Sequence, residues 1–181
     1  EKMEYSFELL TCDNLGRFAV KTDRGKQIQL PVPGQHQATN ALFAYAIGME
    51  AGMEEEKVVT GIERFMAADK RMEIIQESPF IIVNDAYNAN KESIFAAGNF
   101  LKEVTAERKI MALGDVFELG AFSTEIHKEI VCFLDNLGLS MILTIGEETQ
   151  KVNQHILNTQ TRHFDTHEEM KKFVKELLQP G

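Results

Sequence analysis

Basic residues are scarce in this 181-residue chain: 19 Lys and Arg stand against 28 Asp and Glu, a formal net charge of −9. That deficit argues against non-specific adhesion to nucleic acid or to an anionic bilayer, both of which need clustered cations. Cysteine is scarcer still. Cys12 and Cys132 are the only two, in neither a CxxC nor a Cys/His ligand spacing, which speaks against a zinc framework or a disulfide scaffold and fits reduced thiols. No apolar run approaches the roughly 18 residues of a membrane span. The opening EKMEYSFELL lacks the basic region and apolar core of a signal peptide. The expectation is a cytoplasmic chain with no nucleic-acid and no membrane partner. Also missing is any match to GxxxxGK[ST] or GxGxxG, so no phosphate cradle is expected within these residues. The first residue is not Met, and Gln179-Pro180-Gly181 follow a helical stretch where another strand is natural; both ends read as edges of a longer protein.

A hydrophobic content of 44% is enough to bury a core, in one domain or in one domain plus part of another. Over residues 5–30, short apolar stretches alternate with Asp13-Asn14 and Asp23-Arg24-Gly25, the pattern of a strand meander. After Pro31 and Pro33 the pattern turns helical. Ala41 to Met49 is apolar almost all round, implying a helix buried on most sides, and 54–66 places Val58, Val59, Ile62, Phe65 and Met66 on one face.

The helical period ends around Ala67-Ala68-Asp69-Lys70-Arg71, the candidate boundary between a domain over 1–69 and another over 70–181. Beyond it, the apolar runs MEII, FIIV, KIMAL, SMILTI and RHF alternate with helices near 91–104, 124–137, 147–157 and 167–178. Runs that are apolar throughout predict strands buried on both faces. The expected fold class is α/β: a Rossmann-like, doubly wound, mainly parallel sheet, preceded by a strand-and-helix segment.

In open α/β sheets, ligands bind beyond the carboxyl ends of the strands. FIIV runs into Asn84-Asp85-Ala86-Tyr87-Asn88-Ala89-Asn90, KIMAL into Gly114-Asp115, and SMILTI into Gly146-Glu147-Glu148. Asp85 at such an end either caps a turn or meets a ligand hydroxyl that offsets its desolvation. Tyr87 either packs or stacks on a base; Asn88 and Asn90 are turn formers or ligand contacts, with Asn90 a candidate N-cap. The acidic loop after Asp115 is solvated or holds a cation or an ammonium group. His127 reads as a surface histidine beside Glu125 and Lys128. Asn40, entering the apolar helix, is expected in apolar surroundings, where its amide caps or reads an adenine edge. Lys70-Arg71 either pairs with phosphates or is solvated linker charge.

Together these strings resemble the Mur ligase family. PGQHQATNALFAYAIGMEAG is similar to the family's G-x-H-N-x-x-N-A-L-A-A helix opening, and KRME to its hinge arginine motif. VNDAYNANKES and ALGDVFELGAFSTEIHKE resemble D-D-S-Y-N-A-N-P-x-S and L-G-D-M-x-E-L-G with S-x-x-x-H, which mark the MurF branch. The motifs run in order over about residues 30–150; Gln37 replaces the usual Asn, and Lys91 the usual Pro.

The resemblance implies a monomeric, cytoplasmic, ATP- and Mg²⁺-dependent ligase of peptidoglycan synthesis. It would join D-alanyl-D-alanine to UDP-MurNAc-tripeptide through an acyl phosphate, with residues 1–69 closing the central ATP-binding domain and 70–181 forming most of the C-terminal one. It further implies that Gln37 and Asn40 contact adenine, that Arg71 reaches the ATP phosphates and acts in catalysis, and that Asp85 holds the ribose. Tyr87, Asn88 and Asn90 would line the nucleotide side, and Gly114, Asp115, Glu118, Leu119 and Gly120 the dipeptide loop. No metal ligand is assigned to this segment. A non-catalytic nucleotide-binding module and a sister Mur or folylpolyglutamate ligase are the alternatives.

Overall fold

In a computed structural model of the chain, the described residues are 4–67 and 70–178. Ala68 and Asp69, at the expected boundary, and Gln179-Pro180-Gly181 lie outside them. The chain divides into two compact units, one of residues 1–75, 83–87 and 103–105, the other of 76–82, 88–102 and 106–181.

The first unit opens with the expected meander: β1 (Phe7–Cys12), β2 (Phe18–Thr22) and β3 (Gln27–Gln29) pair antiparallel in that order. The β1–β2 turn is fixed by Asp13, whose carboxylate accepts from the Leu15 and Arg17 amides at 2.9 Å each and from Arg17 Nε at 2.8 Å. Register sets Val20 opposite Ile28, and both are fully buried against α1 (His36–Glu50) and α2 (Glu55–Glu63). Ala38, Ala41, Tyr45 and Gly48 recur at helical spacing and form the buried face of α1. Tyr45 is fully buried, its hydroxyl donating to Glu55 Oε1 at 2.7 Å. Burial, reinforced by that bond, pushes the phenol up to about 12.

Two expectations fail here. Only one face of α1 is buried: Phe43 and Ile47 are 66% and 69% exposed, because the meander and α2 cover α1 from one side. Asn40 is accordingly exposed. Phe65 and Met66 are also outside the core, at 57% and 85% exposure. The last turn of α2 closes early, with the Arg64 amide bonded to Thr60 O and the Phe65 amide to Ile62 O.

β4 (Glu73–Glu77) and β5 (Phe80–Asn84), expected within the parallel sheet, pair only with each other among the described residues. The two residues between them, Ser78-Pro79, are too few for the dozen-residue crossover that parallel neighbours need.

The second unit contains α3 (Lys91–Glu103), β6 (Ile110–Gly114), α4 (Ser123–Asp135), β7 (Met141–Ile145), α5 (Glu147–Val152), β8 (Thr161–Phe164) and α6 (His167–Leu177). The strands pair parallel in the order β6-β7-β8. Along β7 the side chains alternate between two cores. Ile142 joins Leu113, Ile130, Val131 and Leu134 on one face, while Met141 and Leu143 join Phe164, Phe173 and Leu177 on the other. A sheet covered on both faces is the doubly wound arrangement expected of an α/β chain.

α6 is N-capped by Thr166, which accepts from the Glu169 amide at 3.2 Å. The helix expected over 147–157 stops at Val152 and passes into a 3₁₀ turn over Asn153–His155. Its continuation is taken by Asp135, whose nearly buried carboxylate accepts from the amides of Leu157, Asn158 and Thr159 at 2.7–3.0 Å. Those amide bonds outweigh the penalty of burial and hold the Asp135 carboxyl below its ordinary range.

Candidate functional site

The sequence-derived candidates fall into two groups, one in each unit. In the first, the loop entering α1 turns at Gly34, whose φ of 99° is left-handed and whose missing Cβ would lie 2.7 Å from His36 Cε1. His36, Gln37 and Asn40 then form a polar chain over the first turn of α1. Asn40 Nδ2 donates to Gln37 Oε1 at 3.0 Å, and Gln37 Nε2 lies 3.1 Å from His36 Nε2. The longer Gln37 side chain thus reaches both neighbours, leaving Asn40's carbonyl oxygen as an acceptor at an exposed helix end.

The segment leading into β4 presents Arg71 from a strained backbone. Lys70 and Met72, on either side of it, hold φ of 61° and 50°, a region that non-glycine residues seldom occupy. Two contacts stabilise this geometry. The Tyr87 amide donates to Lys70 O at 3.0 Å, and the amide of buried Met72 donates to Asp85 Oδ1 at 3.0 Å. Between them the Arg71 guanidinium lies over the Tyr87 ring, 4.2 Å from its centroid. Tyr87 is 61% exposed, so its free edge stays open to solvent.

Asp85 therefore takes the chain-capping role left open for it, accepting from the Met72 amide through Oδ1. Partial burial pushes its carboxyl above the ordinary range, opposed by the Met72 amide and by the charges of His36 and Arg71. A hydroxyl donor arriving at its second oxygen would relieve that desolvation.

The second unit takes Asn88 and Asn90. Asn88 is exposed. Asn90 caps α3 reciprocally: its Oδ1 accepts from the Ser93 amide at 2.8 Å, and its own amide donates to Ser93 Oγ at 3.0 Å.

The parallel register Gly114↔Ile145 brings Asp115 against Gly146 at the adjoining strand ends. Asp115 then uses both carboxylate oxygens on the start of α5, accepting from the Glu148 amide at 3.1 Å and the Thr149 amide at 2.9 Å. Gly146 makes this possible: its φ is 119°, and a Cβ there would stand 2.3 Å from the Asp115 carboxyl carbon. Beyond Asp115, Val116 is buried, Leu119 packs against the core and Glu118 takes φ of 65°. Gly120 opens a 3₁₀ turn, Gly120–Phe122. Phe117 and Phe122 are 81% and 67% exposed.

His127 is not on the surface. It is fully buried, Nε2 accepting from the Val116 amide at 2.9 Å and Nδ1 lying 2.8 Å from Ser123 O. A signal was present: His127, Ile130, Val131 and Leu134 follow one helical stripe. Asp135, one more residue C-terminal on α4, had no comparable warning. Among the described residues, no cluster of three or more His, Cys, Asp or Glu is placed to hold a metal ion, and no helix is long and apolar enough to cross a membrane.

Comparison with known proteins supplies the context for these two groups. Residues 70–181 match the family described as "Mur ligase, glutamate ligase domain". The chain is 33% identical over 154 residues to the UDP-N-acetylmuramoyl-tripeptide–D-alanyl-D-alanine ligase of Haemophilus influenzae, covering 84% of this chain and 33% of that protein. The enzyme of the same name from Escherichia coli is 30% identical over 138 residues, covering 75% and 30%. The chain thus spans about a third of the length of these curated relatives. The crystal structure of MurF from Acinetobacter baumannii superposes with a TM-score of 0.80 at 30% identity, covering 96% of this chain and 38% of that one. MurF from Thermotoga maritima in complex with ADP shares the fold at 17% identity, with a TM-score of 0.78 over 98% of this chain and 41% of its own. With more than half of its residues inside the family match, the chain belongs to the Mur ligase family.

Proposed function

We propose that the chain is the part of an ATP-dependent ligase that receives the nucleotide's base and ribose and the incoming amine, in the addition of D-alanyl-D-alanine to UDP-MurNAc-tripeptide. In this reading, residues 1–69 close the central ATP-binding domain, 70–181 form the C-terminal domain, and the protein is a cytoplasmic monomer. Similarity to the Haemophilus influenzae and Escherichia coli ligases supports the reaction.

The geometric observation that carries it is Asp85: a half-buried carboxylate, raised above its ordinary range, with one oxygen anchored on the Met72 amide and Arg71 close by. Asp85 binds ribose hydroxyls through its second oxygen. Gln37 and Asn40 offer an adenine edge a donor and an acceptor. Arg71 moves from the Tyr87 face to the phosphates, where its charge opposes the negative charge developing on the transferred group. Tyr87, Asn88 and Asn90 border the nucleotide. ATP, with Mg²⁺ on its phosphates, supplies the phosphoryl group that activates the tripeptide carboxylate. The Gly114–Gly120 loop, with Glu118, Leu119 and Gly120 beyond the anchored Asp115, receives the dipeptide.

The test is ligation by the complete gene product, with UDP-MurNAc-tripeptide, D-alanyl-D-alanine and Mg²⁺-ATP, for wild type, Arg71→Ala and Asp85→Ala. Phosphate release should require the dipeptide and should fall by roughly 100-fold or more in the arginine variant. Asp85→Ala should chiefly raise the KM for ATP. Release that ignores the dipeptide would remove the reaction; robust activity in both variants would remove the residue assignments.

A further inference from the structure

His127 lies wholly inside α4's apolar stripe, where a polar ring is costly unless both nitrogens are satisfied. Both are. Val116 N–H points at Nε2 from 2.9 Å, so Nε2 offers a lone pair, and the ring proton belongs on Nδ1, 2.8 Å from the Ser123 carbonyl. A doubly protonated ring would set N–H against N–H at Val116.

The two partners of this ring bracket the exposed part of the loop. Val116 lies just before Phe117-Glu118, and Ser123 just after Phe122. The neighbouring attachments share the same base: Asp115 is held by the Glu148 and Thr149 amides, and Ser123 Oγ donates to Glu148 Oε2 at 2.9 Å. Residues 117–122 therefore stand between two points clamped by one imidazole, and carry exposed Phe117 and Phe122 and the left-handed Glu118.

We propose that His127, as the neutral Nδ1-protonated tautomer, is a positioning residue that presets the Gly114–Gly120 loop for the incoming amine substrate. That an amine substrate meets this loop, and its identity as a D-alanyl dipeptide, rest on the function proposed above; the clamp itself does not. A preset loop lowers the ordering cost of binding its ligand, so loss of the clamp should show as weaker acceptor binding and leave the nucleotide site unchanged.

The clamp is read in this chain by NMR. Imidazole ¹⁵N shifts should show Nε2 unprotonated and Nδ1 protonated. In His127→Phe, which fills the space without an acceptor, amide hydrogen exchange at Val116–Gly120 should rise about tenfold, while Ile142 and Leu143 in β7 stay as protected as in wild type. His127→Gln, which restores an acceptor, should recover part of the difference. In the complete gene product, His127→Phe should raise the KM for the dipeptide about tenfold and leave the KM for ATP unchanged. A proton on Nε2, or exchange rising equally in loop and β7, would overturn the clamp, and the wild-type tautomer decides the matter even where the phenylalanine variant does not fold. Loosening of the loop without a change in dipeptide KM would overturn the acceptor half of the proposal. A wild type with no ligase activity would remove the proposed function, leaving the tautomer and exchange data to judge the clamp.

Discussion

Asp85 and Asp115 stand at equivalent places in the sequence, each following an apolar strand, and the two units use them differently. Asp115 gives both oxygens to the amides that begin α5, so its charge is absorbed by the fold. Asp85 gives one oxygen to the amide of Met72, which with Lys70 flanks Arg71 in the left-handed region, and sits in surroundings that disfavour its charge. A satisfied carboxylate is architecture; the under-satisfied one next to a cation is the one we propose for a ligand. Position at a strand end does not separate the two cases. The count of donors around each carboxylate does.

The sharpest way to break this comparison is at Gly146, which exists to let Asp115 approach. In Gly146→Ala a left-handed φ of 119° meets a Cβ placed 2.3 Å from the Asp115 carboxyl carbon. The second unit should lose about 3 kcal/mol or more, read as a denaturant midpoint that falls without a change in slope. Asp115→Ala removes the two charge-assisted bonds to α5 but adds no clash, and should cost about 2 kcal/mol. Asp115→Ala as stable as wild type would mean that α5 does not depend on its cap.

Much of this architecture was legible in the sequence, and the failures have physical causes. The continuous apolar run SMILTI correctly marked a strand with two covered faces, because Ile142 and Leu143 both find cores. KIMAL, by contrast, leaves Ala112 exposed, and FIIV leaves Ile81 and Ile82 54% and 43% exposed, so those runs did not forecast burial on both faces. The meander was readable from its turn residues. The placement of β4 and β5 was missed although a two-residue connector at Ser78-Pro79 forbids a crossover. Phe43 and Ile47 mislead because apolar character in a sequence does not say what covers it. In the candidate sites, motif strings singled out Asp85, Arg71 and Asp115 but could not show which carboxylate the fold caps with two amides, since hydrogen-bond partners such as Met72 and Thr149 are distant in sequence and backbone in character.

A smaller effect contrasts a buried acid in the first unit with these carboxylates. The Tyr45 phenol, bonded to Glu55, is pushed up to about 12 from 10.0. The folded state thus prefers the protonated form, so this contribution to stability is complete below about pH 10 and is lost as pH rises through 12. Tyr45→Phe should lose about 1 kcal/mol at neutral pH and should lack the steep decline in stability over that alkaline window. Parallel alkaline unfolding of both proteins would show that Tyr45 is not its source.

The smallest expected change is the most telling for Asp85. Its carboxyl lies above the ordinary 3.8, so folding favours the protonated form, and that preference contributes fully below pH 3.8 and is lost as pH rises through the raised value. At neutral pH the ionised group is therefore a small liability. Asp85→Asn keeps an oxygen for the Met72 amide and removes the charge. It should match or exceed wild-type stability at pH 7, by about 0.5 kcal/mol or less, with the difference closing as pH falls toward 3.8. The same variant should bind ADP more weakly, because an amide oxygen is a poorer acceptor for a hydroxyl than a carboxylate. A variant clearly less stable than wild type at pH 7 would show Asp85 to be architecture like Asp115, and the contrast between the two units would collapse.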